Sequence, residues 1–426
     1  MAESNADHAT VRAPERWRLA VHARRSHALL LGAAFWALMI ARIAVEGGRF
    51  TRDALPVGWD FHVFRSAGAL VAGGNAASLY DPAALGRAAK AAIAGDYPVF
   101  PFLNPPHFAL PFVPLAALPY WFSFACVSLL NLVLLLAALR QLARGWGVDP
   151  PSPWLAFAYA LASYPVIVGL LAGQSSFLSL WLMTHAAYFA LRGQPLAGGL
   201  VVGALFYKPQ LALGFLVLFA VEPSLRFRAL AGTLVGAALS AVACLLVSVQ
   251  ASRDYVGSLG ELVDVQSRFR LALSVTGRAF FEQLAPGAPG LARALGIALG
   301  VGAAGAYCWW ARRERRPKAR VAGAVWLTLV AAPHASVYEW TLLVLPLALL
   351  HGELEKTRLT LSAAILLVTS YLAPPLAEAI EESLGFAVHL AIPALVFTGI
   401  YVARGLGSAA PGSTALGQRS ASNRFT

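Results

Sequence analysis

Charged residues are scarce in this chain of 426 residues, of which Asp, Glu, Lys and Arg together make up 13%. Hydrophobic residues account for 58%, and the mean hydropathy is +0.64. An average soluble domain has about 25% charged residues, so the composition excludes an ordinary soluble fold. Several apolar runs reach the roughly 20 residues that a helix needs to cross a hydrocarbon core. The sequence therefore predicts a polytopic membrane protein.

Cysteine is also rare. The three cysteines, Cys126, Cys244 and Cys308, all lie inside apolar runs. They are interpreted as small apolar residues, which excludes a disulfide framework and gives no starting point for a metal site. The formal charge of +12 at pH 7 raises the question of nucleic acid. The Lys and Arg residues cluster between apolar segments, however, and are not spread over a surface, so we expect no nucleic-acid partner.

The apolar segments predict an all-α fold with about twelve transmembrane helices. The first segment, 27–45, is longer than a usual secretory h-region and lacks a clear cleavage site, so we interpret it as a retained helix. The others are 111–139, 154–171, 175–191, 195–206, 209–221, 229–249, 291–311, 321–332, 338–351, 358–373 and 385–404.

These segments form one transmembrane domain over residues 27–404, with long external loops at 47–110 and 250–290. The flanking tails, 1–26 and 405–426, are polar and lack apolar periodicity, so we expect them to be disordered.

The basic residues indicate how this domain is oriented. An even number of spans puts both termini on one side, and most of the 33 Lys and Arg lie in segments on that side. The positive-inside rule makes it the cytoplasmic side. The strongest anchor is the basic loop Arg312–Arg320, which we interpret as a topogenic loop in preference to a lipid headgroup site.

This orientation predicts that five polar motifs face outward together. They are Asp60 with its loop, 173–176, 208–210, the loop 250–290, and 333–339. Ionisable groups at membrane depth are costly and by default mark function. We therefore predict a site at the outer face.

The apolar runs on either side of Lys208 are too short for two full spans, which predicts a helix break at Lys208–Pro209. Lys208 at such a break either snorkels to the interface or binds an anion. The neighbouring Gln174 and Gln210 favour a polar pocket.

The stretch Gly58–Leu110 holds the candidate catalytic carboxylate, Asp60. Helical spacing over 61–72 and 82–94 predicts two amphipathic helices that lie in the membrane interface, the second capped by Asp81. Asp60 is then either a functional carboxylate or the N-cap of the first helix. His62 either contacts substrate or is a satisfied interfacial histidine.

The run 98–107 is dense in proline and aromatic residues and cannot be a regular helix. Its aromatic rings are either an interfacial belt or surfaces for a sugar or an isoprenoid chain. In the second loop, Arg268 and Arg270 either bind phosphate or are solvated.

Several of these motifs, in their order along the chain, resemble glycosyltransferase family 87. They are Asp60-Phe61, the glycine-rich 72–74 with Leu79-Tyr80-Asp81, 104–107 leading into 110–119, Gly173-Gln174, and 207–211. The family consists of bacterial integral-membrane enzymes of the GT-C superfamily. It is similar to the mycobacterial mannosyltransferases of phosphatidylinositol mannoside synthesis.

The resemblance implies transfer of a hexose, mannose first, from a polyprenyl-phosphate sugar to a hydroxyl of a lipid-linked or cell-envelope acceptor. Transfer would occur with inversion at the extracytoplasmic face of the bacterial inner membrane, with Asp60 as general base. The expected partners are therefore membrane lipids, the lipid-linked donor and the acceptor.

The remaining candidates divide into two groups. Those expected to bind the donor or its phosphate are Gln174, Lys208, Gln210, Arg268, Arg270 and His334. Those expected in the substrate pocket are His62, Asn104, His107, Tyr338 and Glu339. At the last of these the chain departs from the family, whose members tend to carry aspartate near this tyrosine.

The chemistry needs a base near the acceptor hydroxyl and positive charge near the leaving phosphate. A retaining mechanism would use a second carboxylate, for which Glu339 is available, but the resemblance favours inversion. The chain has no Asp-x-Asp, the usual metal anchor of nucleotide-sugar transferases, so we expect no metal or other cofactor.

A transporter or lipid flippase is the alternative, because glycine pairs such as Gly232 with Gly236 permit close helix packing. A transporter should place polar residues near the midplane in two repeated halves, and the sequence has no internal repeat. A non-catalytic scaffold subunit would leave Asp60 replaceable. The sequence does not indicate an oligomeric state.

Overall fold

The computed structural model describes residues 29–30, 32–34, 36–41, 44–45, 57–93, 100–145, 153–269, 274–384 and 389–408. Within these ranges, the side chains of 260–269 and of several positions between 374 and 384 are not described. The described part is helical and contains no β-strand, which confirms the all-α prediction. The predicted disordered tails lie outside it, except for residues 405–408, which end the last helix.

The helices are, in chain order, α1 Trp59–Ala72, α2 Pro82–Ala92, α3 Val113–Ala116, α4 Tyr120–Gly145, α5 Pro153–Leu161, α6 Tyr164–Ala172, α7 Ser176–Leu191, α8 Pro195–Ala204, α9 Leu213–Val221, α10 Arg226–Val247, α11 Val249–Phe269, α12 Gly277–Leu284, α13 Pro289–Ala311, α14 Pro317–Ala331, α15 Val344–Leu349, α16 Lys356–Leu384 and α17 Ala391–Ser408. Tighter 3₁₀ segments lie at Ala76–Ser78, Pro106–Phe112, Leu205–Tyr207, Pro209–Ala212 and Val337–Leu343. The described residues between 29 and 45 are also helical.

Within the part of the chain that the structure describes, three helices are long and apolar enough to cross a membrane: Tyr120–Arg144, Arg226–Val247 and Pro289–Ala311. The pair α5 and α6, bent by 74°, counts as a fourth if it forms one span. The predicted count of twelve spans is not confirmed. Other apolar stretches form shorter helices because the chain breaks inside them, and a helix of ten residues covers only about 15 Å of the roughly 30 Å hydrocarbon core.

Glycine lets α8 and α10 approach until their backbones touch. A Cβ atom added at Gly199 would lie 1.9 Å from the carbonyl oxygen of Ala229, and one at Gly203 would lie 2.6 Å from Cα of Gly236. Small residues allow such contacts between membrane helices, where van der Waals packing replaces the hydrophobic effect as the source of stability. The glycine spacing seen in the sequence thus serves helix packing.

Ion pairs connect several helix ends near the first turn of α14. This is the opposite end of α14 from Pro333, which follows its last turn. Arg320, in the first turn of α14, pairs with Glu222 at the end of α9. Arg316 binds Glu314 through two hydrogen bonds of 2.9 Å and donates to the carbonyl of Leu406 at 2.6 Å. The basic loop therefore ties α9, α14 and α17 together at one end of the bundle.

Two predicted segments differ from the structure. The segment 250–290 contains two helices, α11 and α12, and Thr276 Oγ1 caps the second by accepting from Ala279 N at 3.1 Å. Its charged residues alternate with apolar ones at helical spacing, so charge alone was a poor guide. The apolar run 111–139 does not begin as one helix, because Pro111, Pro114 and Pro119 interrupt it and α4 starts at Tyr120.

We predict that Gly199→Ala destabilises the protein by about 1–3 kcal/mol, because the added methyl group must push α8 and α10 apart. Gly302→Ala is the matched control, since a Cβ at Gly302 of α13 meets nothing within 4 Å. Alanine is there the better helix former by about 1 kcal/mol. The melting temperature of the purified protein in one detergent should fall for the first variant only. Equal melting temperatures would contradict the close contact.

Candidate functional site

A cavity of about 360 Å³ opens at the end of the bundle opposite the basic loop. It lies where α1 and α9 begin and where α6 and α14 end, beside the 3₁₀ segments that flank Lys208 and contain Glu339. Eight residues singled out in the sequence line it: Asp60, Asn104, Gln174, Lys208, Gln210, His334, Tyr338 and Glu339. With Tyr255 and Leu259 of the segment 250–290, all five polar motifs predicted from the sequence contribute to one space.

Asp60 lies in the first turn of α1 and does not cap it. The N-cap is Gly58, whose φ of 79° belongs to the left-handed region and which makes no side-chain cap bond. A Cβ at Gly58 would lie 2.6 Å from the hydroxyl of Tyr120, so only glycine fits. The N-cap interpretation of Asp60 is thus wrong. A carboxylate in a first helical turn still gains from the positive end of the helix dipole.

The helix that carries Asp60 is enclosed, so the exposed polar face predicted for an amphipathic helix is wrong. Phe61 contacts the ring of Tyr120 with centroids 5.5 Å apart, while Phe64 packs against Phe108 at 5.2 Å. Aromatic residues on both faces of α1 pack against rings from distant parts of the chain, and the helical spacing of the sequence does not predict these contacts. Asp60 therefore lies on a helix that is held in place by packing on both faces.

The amphipathic pattern fits α2. Asp81 caps this helix by accepting a hydrogen bond of 2.9 Å from Ala83 N, as the sequence predicts. One face, which includes Leu85, is buried, while Arg87 and Lys90 are exposed.

A chain of hydrogen bonds joins four polar side chains of the cavity. Gln174 Nε2 donates to Asp60 Oδ2 at 3.1 Å. Lys208 Nζ donates to Gln174 Oε1 at 3.0 Å and to Glu339 Oε1 at 2.8 Å. The sequence placed these residues on one face, and the structure shows that they are also bonded to one another. We call this set the polar relay.

Lys208 lies at a helix break, which confirms the prediction. The 3₁₀ segments Leu205–Tyr207 and Pro209–Ala212 separate α8 from α9, and Lys208 has an extended φ of −138° between them. Lys208 is only 8% exposed, and its ammonium group lies 5.7 Å from the centre of the Tyr338 ring. A buried ammonium group needs such partners, because an unpaired one would cost several kcal/mol.

Glu339 has a structural task besides its ion pair. Its Oε2 accepts the backbone N–H of Ser336 at 3.2 Å, and the Ser336 side chain accepts the backbone N–H of Glu339 in return. This capping box starts the 3₁₀ segment Val337–Leu343. Both carboxylate oxygens of Glu339 are thus hydrogen-bonded. The side chain of glutamate is longer than that of aspartate, and it reaches Lys208 while it also caps the 3₁₀ segment.

The comparison with protein families matches residues 102–333 to glycosyltransferase family 87. The match covers more than half of the chain. The chain belongs to glycosyltransferase family 87. It is therefore a glycosyltransferase, which confirms the resemblance. No curated protein matches the chain, and neither does any solved structure.

The segment matched to family 87 contains Gln174 and Lys208 but neither Asp60 nor Glu339. The structure adds these two carboxylates through direct contacts with the matched part. The polar relay thus links the family segment to residues on both sides of it.

Two tyrosines that line the cavity of this family 87 enzyme were not among the predicted site residues. Tyr207 lines the cavity, and its hydroxyl lies 2.6 Å from that of Ser179. Its backbone carbonyl accepts from Asn104 Nδ2 at 3.2 Å. Tyr255 also lines the cavity from α11. The helical spacing of 249–269 was the signal that would have placed this tyrosine on an inward face.

Two predicted residues do not line the cavity of this family 87 enzyme. His62 is buried against the ring of Tyr120, with centroids 5.6 Å apart. Burial, helped by the charge of Arg65, lowers the pKa of His62 to about 4, so the ring is neutral at pH 7. His107 Nδ1 lies 3.0 Å from Cys244 Sγ, and burial lowers the pKa of His107 as well.

Arg270 and the side chain of Arg268 lie outside the described residues. Within the described ranges, no group of three or more His, Cys, Asp or Glu side chains is arranged to hold a metal ion.

We predict that Glu339→Gln destabilises the protein by about 3–5 kcal/mol, because it leaves the buried ammonium group of Lys208 without its counter-charge. The melting temperature in detergent should fall, and the double variant Lys208→Met/Glu339→Gln should recover part of the loss. Glu355→Gln is the control, since the Glu355 side chain is 80% exposed and its pair with Arg358 is solvated. A double variant less stable than Glu339→Gln would contradict this account.

Proposed function

We propose that this family 87 enzyme transfers a hexose, mannose in the first instance, from a polyprenyl-phosphate sugar to a hydroxyl of a lipid-linked or cell-envelope acceptor. The observation that carries the proposal is the polar relay, which places a carboxylate and a buried ammonium group in one cavity beside apolar helices. The two charges suit the two ends of a glycosyl transfer, where a proton leaves the acceptor and negative charge gathers on the leaving group.

Asp60 is the proposed general base. A base must come within hydrogen-bond reach of the acceptor hydroxyl, and a well-placed one contributes about a hundredfold or more. Asp60 lines the cavity from a rigid helix that packing holds on nearly every side. Such a mount keeps the carboxylate oriented before the acceptor arrives.

Lys208 is the proposed partner of the leaving phosphate. An ammonium group has three N–H donors, and Gln174 and Glu339 accept two of them. Among the described residues no other acceptor binds Lys208 Nζ, so one donor remains for a ligand in the cavity. His334 and Gln210 line the same space and complete the proposed phosphate side. A fixed positive group at this point stabilises the charge that develops on the leaving oxygen.

The position of Glu339 supports inversion. A retaining mechanism needs a second carboxylate that is able to attack the sugar. Both oxygens of Glu339 are bonded to Lys208 and Ser336, so this carboxylate holds the cation and the cap. Asp60 remains as the single base, which is the requirement of direct displacement.

The lining also suits an isoprenoid donor. Apolar side chains of Phe100, Leu103, Leu213 and Leu259 form one part of the cavity wall. They offer a surface for the first isoprene units, while Lys208 supplies positive charge for a single phosphate. The proposal accordingly needs no resident metal ion.

The charge distribution supports an extracytoplasmic site with both termini in the cytoplasm. Ion pairs and basic residues gather at the end of the bundle away from the cavity. Basic residues favour the cytoplasmic side of a membrane, which leaves the cavity at the outer face of the bacterial inner membrane. Membership in a glycosyltransferase family decides against the transporter and the scaffold subunit.

We expect Asp60→Asn to reduce sugar transfer at least about a hundredfold, because the amide cannot accept the acceptor proton. The assay measures product formed by the purified protein in lipid nanodiscs from polyprenyl-phosphate mannose and a membrane-lipid extract as acceptor. Asp81→Asn is the matched control, since it makes the same change at an exposed cap where asparagine serves equally well. Near-normal transfer by Asp60→Asn would remove Asp60 from the role of base.

The donor class is tested in the same nanodiscs with wild-type protein. We expect transfer from polyprenyl-phosphate mannose, weaker transfer from other polyprenyl-phosphate hexoses, and none from nucleotide sugars. The reason is that the cavity offers one positive side chain and an apolar wall, and the chain lacks an Asp-x-Asp. Efficient use of a nucleotide sugar would overturn the assignment of the donor.

A further inference from the structure

We infer that Gln174 is a positioning residue that holds the Asp60 carboxylate and links it to the Lys208–Glu339 ion pair. This assignment replaces the expectation that Gln174 binds the donor, and it rests on the proposed role of Asp60. On this assignment Asp60, Lys208 and Glu339 act as one unit. The Gln174 amide is bonded to both Lys208 and Asp60, and it transmits the electrostatic effect of the ammonium group to the carboxylate.

The orientation of the Gln174 amide is determined by its neighbours. Its Oε1 accepts from Lys208 Nζ at 3.0 Å, from Ser175 N at 2.8 Å and from Ser175 Oγ at 3.3 Å. A flipped amide would turn its NH₂ group towards the ammonium group and a backbone N–H, which are obligate donors. The NH₂ group therefore faces Asp60, where Nε2 donates to Oδ2 at 3.1 Å.

The backbone of Gln174 is held as firmly as its side chain. Its carbonyl accepts from Asn131 Nδ2 of α4 at 3.0 Å, and its N–H donates to the carbonyl of Gly169 at 2.9 Å. The preceding Gly173 has a φ of 69°, and a Cβ there would lie 2.5 Å from Cβ of Phe61. The end of α6 is thus pressed against the helix that carries Asp60, which fixes the distance between amide and carboxylate.

The cation strengthens the bond to the base. Lys208 donates to the oxygen of an amide whose nitrogen donates to Asp60, and such chains polarise one another in a buried site. The N–H of Gln174 donates to an oxygen of the Asp60 carboxylate, and hydrogen bonds to a charged acceptor are stronger than those between neutral groups. This effect requires only the two hydrogen bonds of the Gln174 amide, one to Lys208 and one to Asp60.

Other titratable groups surround Asp60, and each bears on a pH test. The cavity wall adds Tyr207, Tyr255, His334 and Tyr338 to the charged members of the polar relay. α1 itself carries His62 and Arg65, and the guanidinium of Arg65 donates to the carbonyls of Ala116 and Leu118.

Of the elements packed on α1, segment Pro106–Phe112 carries His107, which contacts Cys244, and α6 carries Tyr164, whose ring packs on that of Tyr371. Arg87 and Lys90 of α2 are exposed. Gln174 is a neutral side chain that is bonded directly to the carboxylate.

The decisive variant is Gln174→Glu, which has the same shape. It keeps an acceptor for Lys208 and Ser175 but replaces the donor to Asp60 with a carboxylate oxygen. Two carboxylates at this distance disfavour a second negative charge. Because the base acts in its anionic form, the acid limb of the kcat/KM profile should move to higher pH by about one unit or more. We expect kcat at pH 7 to fall at least tenfold and KM for polyprenyl-phosphate mannose to change less than threefold.

Gln210→Glu serves as the comparison, since it adds the same charge to the same cavity from a residue outside the polar relay. It should raise KM for the donor and leave the acid limb in place. Equal melting temperatures of Gln174→Glu and wild type would show that the fold is intact. An unmoved acid limb in Gln174→Glu, with Asp60→Asn inactive, would overturn the positioning role. Activity that survives Asp60→Asn would instead overturn the proposed base.

A second readout does not depend on turnover. Infrared difference spectra recorded during a pH titration contain the carboxyl band of Asp60, identified as the band that Asp60→Asn lacks. In Gln174→Glu this band should appear at higher pH than in wild type. A band that titrates at the same pH in both proteins would also overturn the inference, whatever the donor turns out to be.

Discussion

The buried ion pair between Lys208 and Glu339 is the constraint on which the site depends. An ammonium group inside an apolar bundle is tolerated only with a counter-charge and further hydrogen bonds. Each partner therefore comes from a point where a helix stops: the break at Lys208, the capped 3₁₀ segment at Glu339 and the end of α6 at Gln174. Helix ends supply free backbone groups and room for polar side chains, which continuous membrane helices do not.

The surrounding structure separates two kinds of polarity. At one end, exposed and half-buried arginines pair with acidic residues and helix carbonyls, as Arg316 does with Glu314 and Leu406. At the other end, the charged members of the polar relay are bonded to one another through Gln174, and Lys208 and Glu339 are buried. Between them, glycine contacts such as Gly199 on Ala229 bring helices together without polar groups. The ion pair in the cavity of this glycosyltransferase is thus desolvated, whereas the arginines of the basic end stay partly solvated.

The sequence predicted the features that depend on neighbours along the chain. The break at Lys208–Pro209 follows from short runs and a proline, and the Asp81 cap follows from the residues around it. It did not predict features that depend on distant partners. The burial of α1 needs the aromatic residues of 106–112 and α4, and the bonds of Gln174 to Asp60 and Lys208 need a common cavity. The sequence also did not predict the lengths of the spans. Hydropathy counts apolar residues and does not detect a bend such as the one of 74° between α5 and α6.

The sequence separation within the ion pair has a consequence for biosynthesis. Lys208 precedes Glu339 by 131 residues. At about 5–20 residues per second, the ribosome delivers the counter-ion roughly 7 to 26 seconds after the lysine. During this interval the ammonium group has no carboxylate from the second half of the chain. The helix break at Lys208 allows the side chain to reach interfacial water while it waits, so the same break that later shapes the cavity also eases insertion of the nascent chain.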